Sequence, residues 1–217
     1  MAWAGGGCRR RCSEFAGLLE DQLRVLGPDH PDTLRTRHNL AEWRGRLGDA
    51  AGAAAEFADI LHDRLRVLGP DHPDTLRTRH NLAEWRGRLG DAAGAAAEFA
   101  DTLHDRLRVL GPCHPDTLRT RGHLAWWQGE LGDSVSAASA TAGLLQDQLR
   151  VLGPDHPHTL RTRGQLARWR GELGDVVGAV TALAGLLQDQ LRVMGPNHAD
   201  PLATGRDLTR WEREACS

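Results

Sequence analysis

Five histidines recur at intervals of 42 residues, and histidine is a common metal ligand and acid–base catalyst. Four of them directly precede a proline, and the full set is His30, His72, His114, His156 and His198. One histidine in every 42 residues is too regular a spacing for a single metal or catalytic site. A following proline disfavours helical backbone angles at the histidine, which is typical of a residue that caps a helix. The spacing therefore favours a capping role over metal binding or catalysis.

The other reactive side chains form no convincing site either. The pair Cys113-His114 and the isolated His158 each lack the second pair of ligands that a metal site needs. The four cysteines do not repeat, so a disulfide framework is not expected; they are Cys8, Cys12, Cys113 and Cys216. The chain contains no lysine, which excludes a glycine-rich phosphate loop ending in Lys. We predict no catalytic residue, no metal and no cofactor, and therefore a protein that is not an enzyme.

These histidines belong to a longer repeat that sets the architecture. The segment Gly27-Pro28-Asp29-His30-Pro31-Asp32-Thr33-Leu34 returns almost unchanged every 42 residues. A fixed period of this size is the signature of a solenoid of stacked units. We predict a flexible segment over 1–12 and a single solenoid over 13–217. Its parts are a half unit over 13–26, units starting near 27, 69, 111 and 153, and a half unit over 195–217.

Each unit reads as two helices joined by a tight turn. Pro31 suits the first position of a helix A that runs to about Leu47. Gly48 then ends that helix and Asp49 caps a helix B that runs from about Ala50 to Leu68. The short connection permits only an antiparallel hairpin. No alternating strand pattern occurs, so we predict an all-α fold.

This pattern resembles the tetratricopeptide repeat. The matching residues are Asn39-Leu40-Ala41, Gly48-Asp49, Ala53 and Phe57, and the 42-residue unit with its linker is similar to the kinesin-light-chain type. The resemblance covers residues 13–217, although Arg44 stands where the family often has Tyr and Trp43 precedes it. It implies a right-handed α-solenoid whose A helices line a concave groove that binds peptide segments of other proteins.

The resemblance places groove-facing residues on helix A, and these residues vary while Leu40, Ala41 and Gly48 scarcely change among the first four units. Recognition of a partner and simple drift of exposed positions both explain such variation. The arginines could pair with acidic ligand side chains or with Asp32 or Glu42 of their own helix. Trp126 is a candidate anchor for an apolar ligand residue. The candidate peptide-binding residues are Asn39, Asn81, His123, Gln165, Arg35, Arg77, Arg119, Arg161, Trp126 and Arg168.

Composition limits the partners. A net charge of −2 gives no reason to expect nucleic acid or an anionic membrane as a partner. The sequence has neither a stretch of about 18 apolar residues nor a signal peptide, so we expect a cytoplasmic protein. The expected partner is a protein or peptide whose identity the sequence does not give.

The two ends favour an alternative. The array starts with a B-type half unit and stops after an A-type half unit, which leaves Leu208 and Trp211 underprotected in this interpretation. The chain would then be a structural solenoid that self-associates end to end, or a fragment of a larger repeat-containing signalling protein.

Overall fold

The computed structural model describes the backbone of residues 3–216 and the side chains of residues 13–216. Within these residues the chain forms ten α-helices and no strand, as predicted. No helix in this described part of the chain has the length and apolar character needed to cross a membrane. The helices are α1 (Trp3–Val25), α2 (Pro31–Arg46), α3 (Ala50–Leu68), α4 (Pro73–Arg88), α5 (Ala92–Val109), α6 (Pro115–Glu130), α7 (Ser134–Val151), α8 (Pro157–Glu172), α9 (Val176–Met194) and α10 (Ala199–Ala215).

The helices divide between two compact units, Met1–Val109 and Leu110–Ser217. We call α2, α4, α6, α8 and α10 the A-type helices, and α1, α3, α5, α7 and α9 the B-type helices. In each unit every helix packs against the next, so that A-type and B-type helices alternate in antiparallel pairs. Residues 3–12 belong to α1, and the predicted division into 1–12 and 13–217 stays a prediction.

The linker histidines are helix caps, as the sequence predicted. His30 has extended backbone angles, and its Nδ1 accepts a hydrogen bond from the backbone N of Asp32 at 3.2 Å. The same arrangement starts every A-type helix with distances of 3.1–3.2 Å. Because this bond uses the Nδ1 lone pair, each histidine satisfies a helix-end donor that would otherwise lack a partner.

The turn between A-type and B-type helices also follows the prediction. Gly48 has a φ of +108°, a conformation that favours glycine. The side chain of Asp49 then accepts a hydrogen bond from the backbone N of Gly52 at 2.8 Å. The observed bounds of α2 and α3 agree with the predicted helices to within one residue at each end.

Neighbouring A-type helices meet where a tryptophan of one packs on a glycine of the helix before it. A Cβ atom added to Gly45 would overlap the indole ring of Trp85, and one added to Gly171 would lie 2.6 Å from the ring of Trp211. Only a glycine allows an approach this close.

This contact also corrects one expectation. Trp211 is not underprotected: it is only 4% exposed and packs in a core cluster with Leu160, Leu183 and Leu186. Its indole ring packs on Gly171 of α8, so its burial does not depend on a further B-type helix. Leu208 is partly buried against the same cluster.

Candidate functional site

The candidate site lies on one face of the A-type helices. In α2 the predicted positions are Arg35, Asn39, Glu42 and Arg46, spaced by three or four residues, and such residues share one face of a helix. The histidine cap and the proline after it fix where each A-type helix begins. The same four positions therefore fall at equivalent places along each A-type helix.

We call the equivalent positions on successive A-type helices a row. The first row, at the position of Arg35, is arginine in four of the five A-type helices and Ala203 in α10. Arg161 is exposed and has no carboxylate partner among the described residues, because His158 stands where the other repeats have aspartate. The other three arginines pair with the aspartate three residues earlier in their own helix, which is the intramolecular alternative that the sequence left open. These pairs are Arg35–Asp32 at 2.8 Å, Arg77–Asp74 at 3.0 Å and Arg119–Asp116 at 3.5 Å.

The two asparagines of the second row differ in exposure. Asn39 is half-buried, whereas Asn81 is only 8% exposed and its carboxamide lies 3.1 Å from Nε2 of His38. His38 lies on the A-type helix before it and is itself buried. Asn81 is thus already engaged within the first unit. The two later members of the row, His123 and Gln165, are half-buried.

Below these residues the first unit holds a buried arginine. Arg64 of α3 is 1% exposed, and its Nη1 donates to the backbone O of Asp74 at 2.8 Å and to Oγ1 of Thr78 at 2.6 Å. The same nitrogen lies 3.4 Å from Nδ1 of His38. The two hydrogens of Nη1 are used by Asp74 and Thr78, and the carboxamide Nδ2 of Asn81 can donate to Nε2 of His38.

Burial lowers the pKa of Arg64, the charge of Asp74 opposes this shift and the charges of Arg77 and Arg37 add to it, so that the pKa is about 10. Arg64 therefore stays protonated at neutral pH. The space between α2, α3 and α4 is filled by this arginine, by the ring of His38 and by Phe57, whose ring meets that of His38 edge to face at 4.9 Å. We call these side chains the filled network of the first unit.

The second unit replaces residues of this network and residues of the next A-type helix beside it. In α8 and α9, Gly164 stands at the position of His38 and Gln190 at the position of Arg64. In α10, Asp207 stands at the position of Asn81 and Ala203 at the position of Arg77. The changes to Gly164 and Ala203 remove side-chain volume. Gln190 is shorter than Arg64, whose side chain reaches from α3 to Asp74 and Thr78 of α4.

A cleft of about 580 Å³ opens at this place, between α8, α9 and α10. We call it the Gln190 cleft. Its apolar floor contains Leu160, Leu183, Leu186 and Trp211, and its polar end contains Gln190 and Thr204. Gln190 is 3% exposed, and its Oε1 has no hydrogen-bond partner within the described part of the chain.

Trp126 and Arg168 form a closed group at the mouth of this cleft. The guanidinium of Arg168 stacks over the ring of Trp126 at 4.3 Å and pairs with Glu172 at 2.7 Å and Glu130 at 2.8 Å. Burial lowers the pKa of Arg168, but the hydrogen bonds and charges of the two glutamates outweigh it, so the pKa is raised. Trp126 is half-buried, and Arg168 covers one face of its ring.

Ion pairs between the two helices of a hairpin are a feature that the sequence analysis missed. Arg37 donates to Glu56 at 2.9 Å and to Asp63 at 2.7 Å, and its side chain is 16% exposed. The repeats of this contact are Arg79 with Glu98 and Asp105, Arg121 with Asp147, and Arg163 with Asp189. Opposite charges that recur 26 residues apart in every unit were the available signal. These contacts fix each hairpin and are not available to a ligand.

Family comparison agrees with this architecture. Residues 33–74 and 75–116 each match the family model described as tetratricopeptide repeat. These two segments are adjacent 42-residue units, so the predicted resemblance is confirmed. No functionally curated protein matches the chain.

Solved structures are similar over most of the chain. A crystal structure of a point variant of a candidate kinesin light chain from Podosopora anserina, with nearly identical TPR-like repeats, has 21% identity and a TM-score of 0.69. The match covers 87% of this chain and 89% of that one. A second crystal structure of the Podosopora anserina protein has 21% identity and a TM-score of 0.67, with 89% and 92% of the two chains covered.

BtubC (BKLC) from P. vanneervenii has 18% identity and a TM-score of 0.76, and the match covers 96% of this chain and 84% of that one. At these identities the likeness shows the fold. Residues 33–116 match two tetratricopeptide repeats, and the all-α fold of the chain is similar to that of solved kinesin-light-chain-like repeat proteins. Such repeats are in general non-catalytic modules for protein interaction.

Proposed function

We propose that the chain is a non-enzymatic scaffold that binds an extended peptide segment of a partner along the face of its A-type helices. The observation that carries the proposal is where the repeats differ. Leu40, Ala41 and Gly48 scarcely change among the first four units, and the first two of these are buried in the structure. The third row of the face, by contrast, runs Glu42, Glu84, Trp126, Arg168 and Arg210.

The geometry supports some members of the face more than others. Asn39 and Gln165 are half-buried, and their carboxamides make no hydrogen bond within the described residues. A carboxamide both donates and accepts, so it can bond to the C=O and the N–H of an extended backbone. Arg161 adds a positive charge without a carboxylate partner of its own among the described residues. We therefore assign the main contacts to Asn39, Gln165 and Arg161, and an internal role to Asn81.

A displayed library of random peptides tests this function. The strongest binders are measured against the unchanged chain and against a double variant, Asn39→Ala with Gln165→Ala. We expect the dissociation constant of a peptide bound to either unit to rise about fivefold, because each unit loses one backbone hydrogen bond worth about 1 kcal/mol. The matched control is Arg44→Ala with Arg170→Ala, two exposed arginines on the same helices but outside the candidate face.

The control is expected to bind as the unchanged chain does, and circular dichroism should show equal helicity for all proteins. A library that yields no binder contradicts the proposal. Binders that the double variant and the control weaken to the same extent also contradict it.

A second function, self-association, has one observation in its favour. A mostly apolar cleft of about 640 Å³ lies between α9 and α10, lined in part by Leu187, Leu191 and Pro201. Leu202 on its edge is 57% exposed, and we propose a second copy of the chain as the occupant. Light scattering should then show an oligomer that Leu202→Glu dissolves. A wild-type chain that stays monomeric at every concentration contradicts it.

A further inference from the structure

The Gln190 cleft corresponds, three repeats later, to the space that Arg64 fills in the first unit. The bounds of α8 and α9 are those of α2 and α3 shifted by 126 residues, so the two frames match residue for residue. The acceptors that Arg64 uses are the backbone O of Asp74 and Oγ1 of Thr78. Their counterparts are Asp200 and Thr204, and both line the cleft.

We propose that the Gln190 cleft binds the guanidinium group of an arginine side chain from a peptide partner. The ligand group takes the place that Arg64 occupies in the first unit. It donates to the counterparts of the Arg64 acceptors and to Oε1 of Gln190. The identity of the ligand as part of a peptide rests on the proposed function, whereas the recognition of guanidinium rests on the cleft itself.

Gln190 is the observation that points most directly to a ligand. A buried polar atom without a partner costs about 1–3 kcal/mol, and nearly all such atoms in folded proteins are satisfied. Its carbonyl oxygen is only an acceptor, so the missing group is a donor. A guanidinium offers five N–H donors in a planar fork and no acceptor.

The charges around the cleft change in the direction that favours a cation. Compared with the first unit, the replacement of Arg64 by Gln190 and of Arg77 by Ala203 removes two positive charges. Arg168 and Arg210 replace Glu42 and Glu84, but each of them is paired with a glutamate. The replacement of Asn81 by Asp207 adds one negative charge, and Asp200 keeps the negative charge of Asp74. A cation from a ligand would therefore restore the positive charge that Arg64 supplies in the core of the first unit.

The arginines at the mouth do not oppose this assignment. Arg168 is paired with Glu172 and Glu130, and Nε of Arg210 lies 3.3 Å from Glu214. Arg161 occupies the position of Arg35, and Arg64 is accommodated in the first unit beside the charges of Arg77 and Arg37. Arg161 is thus a lining arginine without a carboxylate partner among the described residues, and Asp200 and Asp207 supply two negative charges to the same lining.

The space beside Gln148, one repeat earlier, lacks the charges that favour a guanidinium at the Gln190 cleft. Gln148 of α7 is also buried with an unpartnered Oε1 among the described residues. On the following A-type helix, however, Arg161 and Gln165 stand where α10 has Ala203 and Asp207. The space beside Gln148 therefore keeps a positive charge and lacks the negative one. Gln148 is not part of the lining of the Gln190 cleft.

The experiment uses the full chain and a small probe, the tripeptide Gly-Arg-Gly with an acetyl group and an amide at its ends. Binding is followed by NMR through the indole N–H signals of Trp126 and Trp211, which line the cleft. We expect saturable shifts of these two signals at millimolar probe. The tripeptides with citrulline, lysine or glutamate in place of arginine test charge and shape.

Two variants refill the cleft with residues that the chain already carries at equivalent positions. Gln190→Arg restores the counterpart of Arg64, and Ala203→Arg restores the counterpart of Arg77. Each should abolish the arginine-dependent shifts. Asp207→Asn should weaken probe binding about tenfold, because a hydrogen bond to a charged group is worth about 1.5–3 kcal/mol. The matched control is Gln148→Arg, the same substitution one repeat earlier, which should leave binding unchanged.

Loss of binding in Gln190→Arg and Ala203→Arg but not in Gln148→Arg supports the proposal, provided that thermal unfolding shows all variants folded. No shift with the arginine probe overturns it, and so does equal binding of the citrulline or glutamate probe. Failure of the general peptide-binding function is distinguishable. In that case the tripeptide still binds the cleft while the random library yields no binder that depends on Asn39 and Gln165.

Discussion

The hairpin of α2 and α3 and the hairpin of α8 and α9 have the same backbone but different interiors. Their helices start and end at equivalent residues, and both use a histidine cap, a proline and an aspartate cap. The first hairpin fills the space against the next A-type helix with Arg64 and His38, whereas the second leaves a cleft beside Gln190. Backbone geometry and interior chemistry are therefore set by different residues of the repeat.

The helix ends and the tryptophan–glycine contacts set the backbone, because they recur in both units. The residues that differ are others: His38 lies seven residues before Gly45 on α2, and Arg64 lies on the B-type helix α3. A repeat can thus exchange a buried polar network for a binding cleft without any change in helix length. The features that the two hairpins share and the features in which they differ can therefore be tested separately.

The largest expected effect is the loss of the tryptophan–glycine contact. In both units a Cβ atom at the glycine meets a rigid, buried indole ring, at Gly45 with Trp85 and at Gly171 with Trp211. Gly45→Ala and Gly171→Ala should each lower the free energy of unfolding by about 3 kcal/mol, because overpacking forces the backbones apart. Urea unfolding followed by circular dichroism measures both.

The control for this prediction is Gly143→Ala in α7, where a Cβ atom meets nothing within 4 Å. It should stabilise by about 0.5–1 kcal/mol through helix propensity alone. If Gly45→Ala and Gly143→Ala change stability in the same direction, the glycine contact does not position the helices.

The second prediction separates the two interiors. Arg64→Gln shortens a side chain that fills space and bonds to Asp74 and Thr78, so we expect a loss of about 2 kcal/mol. Gln190→Ala removes an oxygen that has no partner among the described residues, and the loss should stay below about 1 kcal/mol. Equal losses in the two variants would show that Gln190 is satisfied and that the interiors are alike.

The sequence predicted the shared features well because each depends on residues close together in the chain. The helix ends follow from Gly48-Asp49 and His30-Pro31, and the close approach of the A-type helices follows from Gly45. The Gln190 cleft was not predicted. The cleft needs Gly164, Gln190 and Ala203 at once, and these come from three different helices. Their joint effect on space and charge is visible only when the helices are packed.

The burial of Trp211 shows the same difference. From the sequence, the last A-type helix has no B-type partner, so its apolar side chains were expected to be underprotected. Which neighbour an indole ring faces depends on the helix–helix contact, and here the ring packs on Gly171 of the preceding A-type helix. Local periodicity identifies an apolar face but does not say which of two neighbouring helices covers it.

A smaller effect is expected where the second unit lacks a surface ion pair. Asp29 pairs with Arg66, Asp71 with Arg108 and Asp155 with Arg192, and the hydrogen bonds from these arginines lower the pKa of each aspartate. Cys113 stands at the equivalent position before Arg150, which pairs only with Asp147 in the described structure. Cys113→Asp should raise the thermal midpoint at low salt by about 1–2 °C.

The sign of the pH dependence follows from the lowered pKa of the paired carboxylates. The gain in Cys113→Asp should be complete above the ordinary aspartate pKa of about 3.9 and should be lost as the pH falls through the lowered value. Cys113→Ser serves as the control and should give no gain. A gain that is equal for Ser and Asp, or unaffected by salt, would mean that Arg150 does not pair with the new carboxylate.

The smallest expected effect concerns His158, which stands in the second unit where α2 and α4 have Asp32 and Asp74. Burial lowers the pKa of His158 below 6.5, and the positive charge of Arg161 lowers it further. The unfolded chain therefore binds this proton more readily, so the contribution of His158 to stability is lost as the pH falls from about 6.5 through the lowered pKa. His158→Gln should remove this loss, and His158→Asp should also add an ion pair with Arg161, worth about 0.3–0.5 kcal/mol. Thermal midpoints between pH 5 and 7 test both steps, and an unchanged pH profile in His158→Gln would show that His158 titrates alike in the folded and unfolded chains.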